Sequence, residues 1–137
     1  MVRAAVECAD AVARLYAQIE EQRIDDLMRT LHEDCVWQVI GAPEHVPWHG
    51  RFEGPHGVAQ YFERVSRHLD PLGVQIDERW IDGERAMVFG QEQARVRTTG
   101  HVFTSPFAHR LHFAHGRLTA FTAYGNSAAQ LVAVEAL

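Results

Sequence analysis

Four histidines fall within fifteen residues near the end of the chain: His101, His109, His112 and His115. Imidazole titrates near neutral pH and can hold a metal or move a proton. Alternation along Val102–Phe113 places Phe107, His109, Leu111 and Phe113 on one face and His112 on the other. His101 and His115 fall in the turns Thr99–His101 and Ala114–Gly116. No ligand triad converges, so the pattern speaks against a metal centre. His109, on an otherwise apolar row, is the candidate general acid or base; the plainer alternative is a histidine hydrogen-bonded inside a core.

The same alternation suggests the rest of an interior. Met87, Phe89, Gln91 and Gln93 form one row on the preceding strand; Cys35, Trp37 and Val39 form one on an early strand; Thr119, Phe121 and Ala123 form one on the last. Taken as the inward rows, they enclose an aromatic and apolar space with a few polar groups: His109, Gln91, Gln93 and Tyr16. Such a space suits a mostly apolar organic molecule carrying a carbonyl or hydroxyl, which the two glutamines would orient. Alternatively, the glutamines are an ordinary polar row on a half-buried strand. On this assignment no inward carboxylate competes with His109. The row Ala86, Val88, Gly90, Glu92, Ala94 and Val96 would then face outward, unusually apolar for a wetted surface, and a second copy of the chain is expected to cover it.

Composition closes several classes of function. All 13 basic residues are arginine, so Schiff-base chemistry and a lysine base are excluded. A formal charge of -5 disfavours a nucleic-acid partner. Cys8 and Cys35 form no CxxC or Cys/His metal spacing, and two lone thiols fit a reducing compartment. Glu7 and Asp10 interrupt any apolar leader, and no apolar run approaches the ~20 residues needed to span a bilayer. With 47% apolar residues in 137, the expectation is a single cytoplasmic domain without membrane contact.

These side chains need elements to hold them. Val12, Leu15, Tyr16 and Ile19 recur with helical spacing in a segment Ala4–Gln22, and Ile24, Leu27, Met28 and Leu31 repeat the pattern in a second helix. His32–Asp34 would cap its end. Cys35–Ile40 reads as a strand. A third helix carries Val58, Tyr61, Phe62, Val65 and Leu69 on one stripe, with Pro55 suited to its first turn. Strands are predicted over Val74–Ile81, Arg85–Thr98, Val102–Phe113 and Arg117–Tyr124, and a short helix over Ala128–Glu135. Helices first and antiparallel strands last indicate an α+β domain. Between the first strand and third helix lies VIGAPEHVPWHGRFEG, Val39–Gly54. It is either a stiff connection, with Gly50 and Gly54 turning the backbone and Trp48 capping the core, or part of a pocket mouth through His45, Trp48 and His49.

Three stretches, YAQIEEQRIDDLMRTLHEDCVWQV, PWHGRFEGPHGVAQYF and FAHGRLTAFTAYGNSAA, resemble the SnoaL-like, ketosteroid-isomerase-related branch of the NTF2-like superfamily over nearly the whole chain. That resemblance implies a cystatin-like cone: three helices packed in a curved, mostly antiparallel sheet. It also implies a pocket at the cone's mouth, and commonly a homodimer. The superfamily holds isomerases, cyclases, epoxide hydrolases and dehydratases beside non-catalytic binders, so the fold alone does not choose among chemistries. A ketosteroid isomerase needs a first-strand carboxylate, which would fall at Val39; an oxyanion aspartate, which would fall at His109; and a tyrosine, which would fall at Leu15, one place from Tyr16. True steroid isomerisation is therefore not expected, and the Asp–Arg–Asp set of an epoxide hydrolase is not recognisable.

Two readings follow. One is a cofactor-free isomerase, cyclase or dehydratase with His109 as its acid/base. The other is a ligand-binding or dimerisation module without chemistry. The binding candidates are Tyr16, Trp37, Val39, Trp48, Tyr61, Phe89, Gln91, Gln93, Phe107 and Phe121. A histidine paired with a polar group inside the pocket would favour catalysis; a dry apolar cavity would favour binding.

Overall fold

The computed structural model describes residues 2–135. The first helix, α1 (Val2–Glu20), buries Cys8, Ala11, Val12, Leu15 and Tyr16, a stripe spaced three and four apart. Gln22, in the left-handed region at φ 56°, turns the chain into α2 (Ile24–Met28). This helix is shorter than the sequence suggests. Its predicted last turn and the His32–Asp34 cap belong instead to β1 (Leu31–Val39), because Leu31 already pairs with Leu118. The stretch Val39–Gly54 contains a strand not foreseen, β2 (Gly50–Glu53), which pairs antiparallel with the end of β1. Gly50 and Gly54, at φ 128° and 69°, turn the chain on either side of β2 and lead into α3 (Gly54–His68). The remaining strands are β3 (Leu69–Asp82), β4 (Arg85–Val96), β5 (Val102–Ala114) and β6 (Arg117–Tyr124), followed by α4 (Ser127–Glu135).

The six strands run in the order β2-β1-β6-β5-β4-β3, antiparallel except for the parallel β1–β6 pair. This is the α+β arrangement expected, with a fourth helix, α4, seated on β5. The main core lies between α1, α3 and the sheet. Trp37 is its largest fully buried side chain, stacked on Phe121 at 3.9 Å and edge-on to Phe62 at 5.3 Å. A second cluster, Val46, Trp48, Leu69, Ala94, Val96, Phe103 and Ala133, joins the loop after β1 to α4 at the other end of the sheet.

Register decides which strand faces point inward, and on β4 it reverses the expectation. Val88 sits directly opposite His109, Gly90 opposite Phe107 and Ala94 opposite Phe103, and directly paired residues share a face. Ala86, Val88, Gly90, Glu92, Ala94 and Val96 are therefore the inner row, and Phe89, Gln91 and Gln93 look outward with Met87. The physical reason is space. Phe107 fills the volume over Gly90 so closely that an added Cβ would lie 2.9 Å from its ring, and 2.1 Å from the carbonyl oxygen of Gln75. Small residues are needed where large ones arrive from the neighbouring strand. On β6, a register irregularity at His112/Phe113 puts Leu118, not Thr119, inside with Phe121 and Ala123.

Candidate active site

The inner rows, α1, α3 and α4 enclose a cavity of about 90 Å³. Among its walls are Tyr16, Trp37, Val39, Trp48, Tyr61, Phe107, His109 and Phe121, so eight of the eleven sequence candidates meet in one place. The three that do not are Phe89, Gln91 and Gln93. Two groups the sequence reading left out take their place: Glu92, from the row assigned to the outside, and Gln130 of α4.

At one end, the Tyr16 hydroxyl and Nδ1 of His109 are hydrogen-bonded at 2.7 Å. Tyr16 thus looks into the cavity. His109 is layered between aromatic rings, stacked on Phe107 at 4.0 Å and tilted against Phe121 at 4.7 Å. Burial among these rings holds its imidazole down at about 3, so the ring is neutral at physiological pH. The same desolvation pushes the Tyr16 phenol well above its ordinary value, against a weaker opposite pull from the Arg79 guanidinium. Two neutral groups therefore share one hydrogen bond. Between them they carry two hydrogens and use one, so in either tautomer one polar hydrogen is left for a ligand. A neutral imidazole of such low basicity is suited to donate a hydrogen bond rather than to take up a proton.

A second shifted group stands elsewhere in the cavity. Among the described residues Glu92 has no arginine partner, and desolvation pushes its carboxyl up to about 7. It switches between acid and carboxylate at neutral pH, the condition that makes a general acid–base group effective. Glu92 lies opposite Ser105, four positions along β5 from His109, a separation of ~13 Å at strand rise.

Of the residues His45, Trp48 and His49 considered for a pocket mouth in the loop after β1, only Trp48 lines the cavity. The glycines of that loop turn the chain. His49, 2% exposed, points inward and bonds Gln130. His45 stays outside, 3.7 Å from Glu135. A wider groove of about 460 Å³ opens on the opposite side of β2, lined by Arg51, Glu53, His56, Gln60 and Arg64 among others. Its arginines are engaged locally: Arg51 pairs with Glu53, and Arg64 lies over the Phe52 ring and bonds the Pro47 carbonyl. The strongly shifted titratable groups, Tyr16, Tyr61, Glu92 and His109, lie inside the cone. Among the described residues, no three His, Cys, Asp or Glu side chains gather as a metal site, and no helix is long and apolar enough to cross a membrane.

One signal could have exposed Glu92. Its row contains five small or apolar residues and a single charge, and a lone carboxylate on such a row is either badly placed or functional. Gln130 carried no comparable sign.

The backbone is similar to an NTF2-like protein from Burkholderia xenovorans LB400, at 21% identity over 96% of this chain and 98% of that one, with a TM-score of 0.86. It is similar to TerC co-crystallised with polyporic acid, at 21% identity over 95% and 99%, TM-score 0.83. An LEH-like epoxide hydrolase from M. tuberculosis aligns at 15% identity over 95% and 90%, TM-score 0.74. At these identities the likeness is one of fold. No curated protein matches the chain. The SnoaL-like domain matches residues 12–121, most of the cone, and the chain therefore belongs to the SnoaL-like family.

Proposed function

We propose that this protein is a cofactor-independent enzyme that moves a proton on a mostly apolar carbonyl- or hydroxyl-bearing compound, in the manner of an isomerase, cyclase or dehydratase. The observation that carries the reading is the presence of Glu92, poised at about 7, in the same cavity as the neutral Tyr16–His109 pair. The substrate's carbonyl oxygen accepts the spare hydrogen of the pair. Glu92, as carboxylate, removes a proton from a carbon next to that carbonyl, or one double bond further along an enone. The electron pair freed at carbon flows to the oxygen, where the pair stabilises the enolate. Glu92, now protonated, returns the proton to a different carbon, or gives it to a departing hydroxyl. A paired histidine was the feature that would favour chemistry over simple binding, and it is present.

A second reading keeps one supporting observation. At about 90 Å³ the cavity has room for roughly three waters, so a substrate must part the walls. A binding module with a nearly filled interior would look the same. Deuterium exchange separates the two. 1-Decalone incubated with the protein in D2O should take up deuterium next to its carbonyl faster than in buffer, and Glu92→Gln should abolish the excess. No excess exchange with wild-type protein, or equal exchange in the variant, would sink the catalytic reading.

The partner expected from sequence, a second copy on the outer sheet face, is retained as a proposal on different residues. The row first invoked is internal. The outer face instead carries half-buried Met87 and Phe89 beside Trp80, which is 64% exposed.

A further inference from the structure

The Glu92 end of the cavity is bordered by a polar network in which the direction of almost every hydrogen bond is forced. The Ala42 amide donates to Nδ1 of His49 at 3.0 Å. The neutral ring, whose pKa burial lowers, therefore carries its hydrogen on Nε2 and donates it to Oε1 of Gln130 at 2.5 Å. The same oxygen accepts from Nε1 of Trp48 at 3.1 Å, and an indole nitrogen can only donate. The orientation of the Gln130 amide is thereby fixed, with its nitrogen directed to Oγ of Ser105 at 3.2 Å. Ser105 also accepts from the Asn126 amide at 2.7 Å. One hydrogen of the Gln130 amide is left without a protein acceptor among the described residues, on a side chain that lines the cavity.

Tyr61 is in the same position. It lines the cavity from α3, and its hydroxyl makes no regular hydrogen bond among the described residues. Burial and the nearby Glu92 carboxylate keep its phenol protonated. Nε1 of Trp37 leans toward the phenol oxygen without completing a regular bond, and a donor on that side turns the phenol hydrogen away from Trp37. Three hydrogens are therefore available to a ligand: one from the Tyr16–His109 pair, one from Tyr61 and one from Gln130. Among the described residues no lysine or arginine lines the cavity, so a carboxylate or phosphate placed beside Glu92 would meet a like charge.

We propose that the cavity takes an uncharged compound with two acceptor oxygens, one held by Tyr16–His109 and the second by Gln130 and Tyr61 beside Glu92. The proposal rests on the proton-transfer reading for the placement of the first oxygen. It assigns Gln130 and Tyr61 as specificity-determining groups, and Trp48 and His49 as the residues that position Gln130.

Calorimetric binding of decalin-1,5-dione and 1-decalone tests this. Wild-type protein should bind the dione about tenfold more tightly, the worth of one or two ligand hydrogen bonds. Gln130→Glu keeps an acceptor for Trp48 and His49 and removes both amide donors, the one to Ser105 included; Tyr61→Phe removes only a hydroxyl. Each should erase most of the preference by weakening dione binding far more than 1-decalone binding, a split that a purely structural role would not produce. Equal affinity for the two ketones in wild type, binding of neither, or a preference that survives both variants would overturn the proposal. A dione preference that persists while Glu92→Gln leaves deuterium exchange unaltered would instead remove the proton-transfer reading and keep the ligand class.

Discussion

His109 and Glu92 stand at two ends of one cavity and are displaced in opposite directions by one cause. Desolvation lowers the imidazole to about 3 and raises the carboxyl to about 7. Both shifts favour the neutral form. The difference lies in where each group started. A histidine pushed down leaves the physiological range and becomes a fixed donor. A glutamate pushed up enters that range and becomes a switch. On the proposed function, the same apolar walls divide the labour between a group that holds the substrate oxygen and a group that transfers the proton.

The largest effect should come from separating the two groups in a pH profile. Exchange by wild-type protein should rise with pH through about 7 as Glu92 ionises. Glu92→Gln should lose that limb together with ~10²–10⁴-fold of the rate. His109→Gln should lower the rate while keeping the limb, because it removes a donor partner and not the base. A limb that vanishes in His109→Gln would return the role of base to the histidine.

Stability should show the same contrast more weakly. A carboxyl raised in the folded state binds its proton more tightly there than in the unfolded chain, so Glu92 costs the fold nothing below pH 4.5 and progressively more up to about pH 7. Glu92→Gln should match wild type at pH 4 and exceed it at pH 8 by up to about 3 kcal/mol in chemical denaturation. For His109 the sign is reversed: its depressed pKa removes stability as pH falls from 6.5 toward 3, and His109→Gln should blunt acid unfolding.

A smaller change probes how the Glu92 end is held. A Cβ on Gly41 would lie 2.0 Å from Nδ1 of His49, which is itself anchored to Ala42 and Gln130. Gly41→Ala should cost about 1–3 kcal/mol, as overpacking does, and should reduce the dione preference while Tyr16–His109 chemistry survives. Unchanged stability would show that His49 can move aside. The change most remote from the cavity is Trp80→Glu on the outer face. It should convert a dimer to a monomer in sedimentation at micromolar concentration, with little effect on exchange. A wild-type monomer would remove the proposed partner.

Periodicity and turn chemistry made the elements legible. The stripe Val12, Leu15, Tyr16 and Ile19, the strand rows of Trp37 and His109, and the glycine turns around β2 all follow from local rules, as does the α+β class. The motif resemblance supplied the cone. The length of α2 was misjudged because pairing with β6 claims Leu31 for the sheet, a contact between residues 87 positions apart.

Most of the apolar cavity wall was also readable, because a residue's place on a strand row follows from its neighbours in sequence. The two polar groups that define the Glu92 end were not. Alternation identifies two rows on β4 and contains no information about which faces the core; a single step of register exchanges them. Only the pairing of Val88 with His109 and Gly90 with Phe107, and the way Phe107 occupies the space above Gly90, turns Glu92 inward. Gln130 enters only because α4 returns over β5 and meets the loop after β1. The amino-acid sequence by itself determined which residues could do chemistry and which elements carry them. Tertiary packing decided which of the two faces of β4 is desolvated, and desolvation is what sets the charge state of every group in the site.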